Sequence, residues 1–358
     1  MSVNQGFTTL SASQAVMERA CCVSICPVAT EALAQELAKD LAKDLAKDLA
    51  KDPTQDPALN KHWLLAAPAR VLQVLEPLSC AEQALFMLIF HATGFSYWQD
   101  PPWSIADGDT TYNGSSAWLI CLARERDLLK PASLATLSDK KWQALTLGLN
   151  NISMPMAGER PEILRSLGSI WQNQQLNKAD SVSVYKSFVT DTDKTAPELA
   201  LLVADTLPGF ADISSYDELT IPFLKRAQLL VNDINHLKIK SGMQPISGLE
   251  RLTAFADYKI PQLLRHKNVL KYSQTLGQKI DTLVPLAAGS KEEIEIRAGT
   301  IVAVEAIKNA LKSATPNATP SATTNGSLNS GTLDNLLWLE AQKEKAMQPY
   351  HRCRTINY

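Results

Sequence analysis

The chain has 358 residues, 45% of them hydrophobic, and its 35 Lys plus Arg against 37 Asp plus Glu give a formal net charge of −2. That length buries a large core and allows two or three domains without requiring them. Near-neutral charge argues against a dedicated nucleic-acid binder, fifteen glycines are few for a glycine-loop nucleotide binder, and no run of about 18 apolar residues marks a membrane helix.

The first residues lack a basic region followed by an apolar core, so no secretory signal is expected and the chain is placed in the cytoplasm. The six cysteines fit that placement as free thiols. Cys21, Cys22 and Cys26 lie in an apolar stretch expected to be helical, Cys80, Cys121 and Cys353 are isolated, and none has metal or redox spacing. From Leu37 to Asp52 the unit Leu-Ala-Lys-Asp repeats four times. A four-residue step drifts about 40° per repeat around a helix of about 3.6 residues per turn. Leu37, Leu41, Leu45 and Leu49 therefore cannot hold one flat seam, which predicts a helix end solvated on most sides and without chemistry.

Ser79-Cys80-Ala81-Glu82 has the capping-box form, as do Thr195-Ala196-Pro197-Glu198 and Ser290-Lys291-Glu292-Glu293. Each precedes an apolar run of helical period. The first such helix leads into an aromatic segment, His91 to Trp103, that holds Phe95, Tyr97, Trp98 and Trp103. These rings can build a stacking slot for a planar base, or simply cover a helix end. No hairpin dipeptide separates alternating strands, so the expectation is an all-α protein.

Charge concentrates between Ile221 and Ile280, where ten Lys plus Arg face three acids, a local net of 10 − 3 = +7. The span begins with Phe223-Leu224-Lys225-Arg226-Ala227-Gln228 and includes Phe255-Ala256-Asp257-Tyr258-Lys259-Ile260-Pro261-Gln262. Lys225 and Asp257, each in an apolar setting, form either a catalytic pair or a salt bridge between helices. The basic excess fits a small anionic ligand such as a phosphate, or an ordinary basic face. Glu295 and Arg297 sit two residues apart on a helix, hence on different faces, and read as structural ion-pairing or capping residues. Ser313 to Thr332 is rich in Ser, Thr, Asn and Pro and reads as a disordered insertion. Order returns at Leu336-Leu337-Trp338-Leu339, and the two tyrosines, His351, Arg352 and Arg354 of the last ten residues suggest a docked terminus.

The Phe255–Gln262 and Phe223–Gln228 segments, the aromatic segment, Gly289-Ser290 followed by Glu293 to Ala298, and the PYHRCRTINY end occur in an order that resembles the queuosine salvage proteins. The resemblance runs from about Ala15 to Tyr358, interrupted by the repeats and the Ser-rich insertion. It implies one all-helical domain over 1–358, similar to helical DNA glycosylases, with no metal and no organic cofactor. It also implies hydrolysis of the bond between ribose 5′-phosphate and the 7-deazaguanine base queuine. The partner is then the small molecule queuosine 5′-phosphate; no membrane and no direct nucleic-acid contact are expected. Carried over by motif, Asp257 is the catalytic carboxylate, Lys225 its basic partner, and Phe255 and Tyr258 flank the acid. Phe95, Tyr97 and Trp98 would line the base slot, and His351, Arg352 and Arg354 would serve the phosphate end. Thr93-Gly94 stands where members of the family often carry an asparagine. The other reading is a non-catalytic helical protein that binds a nucleotide or nucleic acid on a glycosylase-like scaffold.

The chemistry fits the enzyme. Breaking an N-glycosidic bond builds positive charge on the ribose, which one positioned carboxylate can stabilise while orienting water. Queuine has carbon where guanine has N7, so the leaving base must be stabilised at other edges. One carboxylate with base contacts, not a pair of carboxylates, is expected.

Overall fold

The computed structural model describes residues 7–51, 62–176, 193–314 and 328–358, and the protein is mainly α. The cap signals do their work. Ser79 Oγ accepts from the Glu82 N–H at 3.3 Å while the Glu82 carboxylate accepts from the Ser79 N–H at 2.9 Å, and the Cys80–Ala92 helix follows. Glu198 likewise accepts from the Thr195 N–H at 2.7 Å ahead of Ala196–Thr206. Before Lys291–Ala314 half of the box is in register and half is displaced by one residue: Ser290 Oγ accepts from the Glu293 N–H at 3.3 Å, but the Glu293 carboxylate accepts from the Gly289 N–H at 3.2 Å, not from Ser290. Gly289 permits this because it sits at φ +74°.

The expectation of a purely α chain needs one amendment. Among the described residues three two-stranded antiparallel sheets decorate the helices. Ser104–Asp107 pairs with Thr110–Asn113 and Ile213–Tyr216 with Leu219–Pro222, both as hairpins. Gly108 and Asp217 adopt the left-handed turn conformation, at φ +58° and +50°. Strands of four residues are too short for alternation to register. Val23–Ile25 pairs with Leu270–Tyr272, so the cysteine-rich stretch expected to be helical is a bend and a strand. β-branched Val23 and Ile25 find a partner far along the chain, and Pro27 opens the next helix, Pro27–Lys51.

That helix carries the repeats. Leu37 is buried and Leu41 half-buried, so the first repeat joins the core; the side chains of 42–52 lie outside the described residues. Most of the Ser-rich insertion, 315–327, also lies outside them. Its expected ends are ordered: Ser313 belongs to the Lys291–Ala314 helix, and Asn329 caps Ser330–Lys343 by accepting from the Thr332 N–H at 2.9 Å.

Two large apolar cores position the site. One gathers residues from Leu64 to Leu252, including the Cys80–Ala92 and Ala196–Thr206 helices packed on Lys225–Lys240. The other gathers Leu33 and Leu37, the Lys259–His266 helix, Lys291–Ala314 and Ser330–Lys343. Among the described residues no helix is long and apolar enough to cross a membrane.

Candidate active site

Lys225 opens its helix from a constrained turn. Leu224, fully buried, sits in the left-handed region at φ +50°; for a residue with a Cβ this costs about 1–3 kcal/mol. Asp212 holds the turn. Its carbonyl accepts from the Leu224 N–H at 3.1 Å and its Oδ2 from the Lys225 N–H at 3.0 Å. The buried Arg297 guanidinium grips Asp212 with two hydrogen bonds, and its Nε donates to the Ala256 carbonyl at 3.3 Å. One arginine therefore ties the Lys225 turn to the residue before Asp257. Glu295 takes no part in that pairing. It accepts from the Cys22 and Val23 N–H groups at 2.7 and 3.1 Å.

Asp257 precedes the Lys259–His266 helix and caps it: Oδ1 accepts from the Lys259 and Ile260 N–H groups at 2.7 and 3.2 Å. Oδ2 has no hydrogen-bond partner among the described residues. A helix N-terminus carries partial positive charge and favours a carboxylate there. Asp257 is thus fixed by one oxygen, and the other is left unengaged by the described residues.

Lys225, Asp257, Phe255, Tyr258, Phe95 and Tyr97 all line one cavity of about 220 Å³, in the cleft between the two cores. Burial lowers the pKa of Lys225, against the opposing pull of Asp257 and then Asp334. No hydrogen bond or ion pair to a described residue engages its ammonium. The Tyr97 hydroxyl is buried without a partner among the described residues. Tyr258 packs on Tyr350 with ring centroids 4.8 Å apart. Phe95 is held between two buried guanidinium groups, Arg160 at 4.3 Å and Arg226 at 5.1 Å from its centroid.

Trp98, His351, Arg352 and Arg354 do not reach the cavity. They anchor the end of the chain instead. The Trp98 indole donates to the Cys353 carbonyl at 3.2 Å, and Arg354 and Arg352 stand over its ring at 3.9 and 5.6 Å. His351 is buried with its Nε2 3.1 Å from the Tyr358 hydroxyl. Ser96 donates its N–H to the Tyr358 carbonyl at 2.8 Å, and Arg226 donates to the Asn357 and Ile356 carbonyls. The tail is docked, and it contributes Tyr358 to the cavity wall rather than its basic side chains. Of the ten basic residues between 221 and 280, only Lys225 and Lys259 line the cavity. Arg265, Lys267 and Lys279 are paired with Asp281, Glu36 and Glu292.

Sequence reasoning missed a second acid. Asp334 lines the cavity and accepts from the Phe255 N–H at 2.8 Å. Burial, then the Asp257 charge, push its carboxyl well above the ordinary range. Near the start of a helix behind a Ser-rich stretch, it resembles a solvated acid. A histidine network was missed as well. Asp233, two turns beyond Lys225 on the same helix, accepts from His91 Nε2 at 2.7 Å and from the Trp63 indole at 3.0 Å. His62 Nε2 stands 3.1 Å away. Burial pushes the Asp233 carboxyl up, but the adjoining His62 ring and the His91 hydrogen bond outweigh it and leave it well below the ordinary range. Burial also lowers the His91 pKa. A carboxylate only accepts, so the His91 Nε2 that faces Asp233 carries the proton, and His91 itself lines the cavity. In the sequence Asp233 stood only as an acid close to the apolar residues Leu230, Val231 and Ile234.

The model of the family described as "Queuosine salvage protein" matches residues 76–358. A Sphaerobacter thermophilus protein named queuosine 5′-phosphate N-glycosylase/hydrolase is 31% identical over 280 residues, 77% of this chain and 81% of its own length. Proteins of the same name from Mus musculus and Bos taurus are 30% and 29% identical, covering 80% and 81% of this chain and 86% of each relative.

Proposed function

We propose that this chain, which belongs to the queuosine salvage protein family, hydrolyses the N-glycosidic bond of queuosine 5′-phosphate and releases queuine for reuse in tRNA modification. The observation that carries the reading is the meeting of Lys225 and Asp334, from two separate helices, with Asp257, from the segment that precedes a third, in one aromatic-walled cavity. Free Asp257 Oδ2 is suited to face the ribose, where it stabilises the developing oxocarbenium charge and orients the attacking water. Asp334, held toward its neutral form, is a hydrogen-bond donor for the departing base. That role answers the absence of N7, and it replaces the expected single carboxylate with two acids in different protonation states. His91 lines the same cavity, and Phe95, Tyr97, Phe255 and Tyr258 supply apolar walls. Lys225 and Lys259 are the cations for the 5′-phosphate, in place of the tail residues His351, Arg352 and Arg354.

Residues 1–358 act as one unit on this reading, because the cavity takes walls from Trp63 to Tyr358. The likeness to helical DNA glycosylases belongs to the same reading, supported by the mainly α frame with its acid at a helix N-terminus in a cleft. So do a cytoplasmic location, supported by six free cysteines, a purely small-molecule partner and independence of metal or organic cofactors in the reaction. The test is incubation with queuosine 5′-phosphate and chromatographic detection of free queuine. Release that is lost in Asp257→Asn supports the assignment. Tight binding without release supports the non-catalytic reading instead.

A further inference from the structure

Away from the cavity, on the bend before Val23–Ile25, Cys21 and Cys22 meet Glu295 of the Lys291–Ala314 helix. The two sulfurs are 3.7 Å apart, and Cys21 Sγ is 3.7 Å from Glu295 Oε1. Among the described residues this is the sole group of His, Cys, Asp or Glu whose donor atoms lie close enough to share an ion, all within 4.8 Å of one another. Tetrahedral zinc with sulfurs at ~2.3 Å and a carboxylate oxygen at ~2.1 Å requires S···S of roughly 3.8 Å and S···O of roughly 3.6 Å. Both separations, 3.7 Å, agree with that geometry, and all three donor atoms lie within 4.8 Å of one another.

We propose that Cys21, Cys22 and Glu295 form a binding site for a thiophilic divalent cation of the zinc and cadmium class. Two thiolates and one carboxylate are a soft donor set that favours such ions over magnesium or calcium. The remaining position is open to water, since Cys21 is exposed. Glu295 is oriented for the task. Its Oε2 is fixed by the Cys22 and Val23 N–H groups, and the Tyr216 hydroxyl donates to Oε1 at 2.9 Å, the kind of outer hydrogen bond that holds a metal-ligating carboxylate. Binding replaces each S–H bond with a sulfur–metal bond and gives the two thiol protons to solvent. Sequence spacing hides the site, because Glu295 lies 274 residues from Cys21.

The same distances also suit S–H hydrogen bonds, and metal titration separates the two. The full-length protein, reduced and stripped of metal, is titrated with cadmium ion while thiolate-to-cadmium absorbance is followed, and zinc ion is added as competitor. One equivalent saturates the band and zinc displaces it. Cys21→Ser and Cys22→Ser, at exposed and half-buried positions that tolerate the change, each weaken binding by at least about tenfold. Glu295→Gln weakens binding but retains the band. An unsaturable band in the parent protein, or a Cys21→Ser/Cys22→Ser double variant that titrates like the parent through the other four thiols, overturns the site.

Discussion

Asp257→Asn separates charge from geometry. The amide oxygen can still accept from the Lys259 and Ile260 N–H groups, which lie 2.7 and 3.2 Å from Oδ1. Asparagine is also as good a helix cap as aspartate. The fold is therefore unchanged in stability, while the negative charge beside the ribose is gone. Loss of one preorganised electrostatic group costs about 100-fold in kcat, roughly 2.7 kcal/mol. Asp257→Ala loses the same charge and the cap, so it adds a destabilisation of about 1 kcal/mol. Neighbouring groups respond with definite sign. Asp257 holds the Lys225 pKa up against burial, so its removal lowers that pKa further. It also holds the Asp334 pKa up, so Asp334 moves back toward the ordinary carboxylate range. The acid in the variant is then more ionised at neutral pH and a poorer donor to the base. The assay is single-turnover queuine release, with substrate affinity by calorimetry and stability by urea denaturation. Turnover of the Asn variant within tenfold of the parent, or a loss confined to affinity, refutes the mechanism.

Three further outcomes follow from named contacts. Arg297→Met leaves the Asp212 carboxylate buried without its partner and costs about 3–5 kcal/mol in denaturant unfolding. The enzyme has a higher kcat/KM for queuosine 5′-phosphate than for queuosine, and Lys259→Met narrows the ratio; because burial lowers the Lys225 pKa, the ratio also falls with rising pH before an ordinary lysine would lose its charge. Tyr97→Phe removes a buried hydroxyl that has no partner among the described residues, so stability holds or rises while KM increases; unchanged kinetics would detach Tyr97 from the substrate.

Legibility in the sequence followed the range of the interactions. Capping boxes at Ser79 and Thr195 are local, and their helices start where expected. The Asp257 segment was legible because its aromatic neighbours and closing proline are adjacent in the chain. Trp98, Arg352 and Arg354 lie away from the cavity: in a sequence, aromatic and basic residues look alike whether they face a ligand or each other, and the contacts among these span more than 250 residues. Asp334 and Asp233 were missed for the opposite reason. A single acid in a helix looks solvated until its partners, here Phe255 N–H and His91, arrive from other segments. The Val23–Ile25 strand has its reason to exist only in Leu270–Tyr272.

The charges in the cavity explain why such a site is assembled from both cores rather than on one helix. Lys225 is an ammonium taken out of water with no ion pair to a described residue, and Asp334 is a carboxyl pressed toward neutrality. Both are unfavourable in the protein alone; Lys225 is held there by Asp212, which caps the Leu224–Lys225 turn, and by Arg297, which grips the Asp212 carboxylate and the Ala256 carbonyl, and Asp334 is held by the Phe255 N–H. On the proposed reading, a phosphate beside Lys225 and positive charge on a ribose beside Asp257 offset those electrostatic costs together only in one bound nucleotide. The second charge develops only on the way to the transition state. Interactions that strengthen there raise the rate rather than the affinity alone. On that argument the Arg297–Asp212 clamp contributes to catalysis through position. A mild variant such as Arg297→Lys should lower kcat more than it raises KM, whereas a purely structural clamp would leave the kinetics of the folded fraction unchanged.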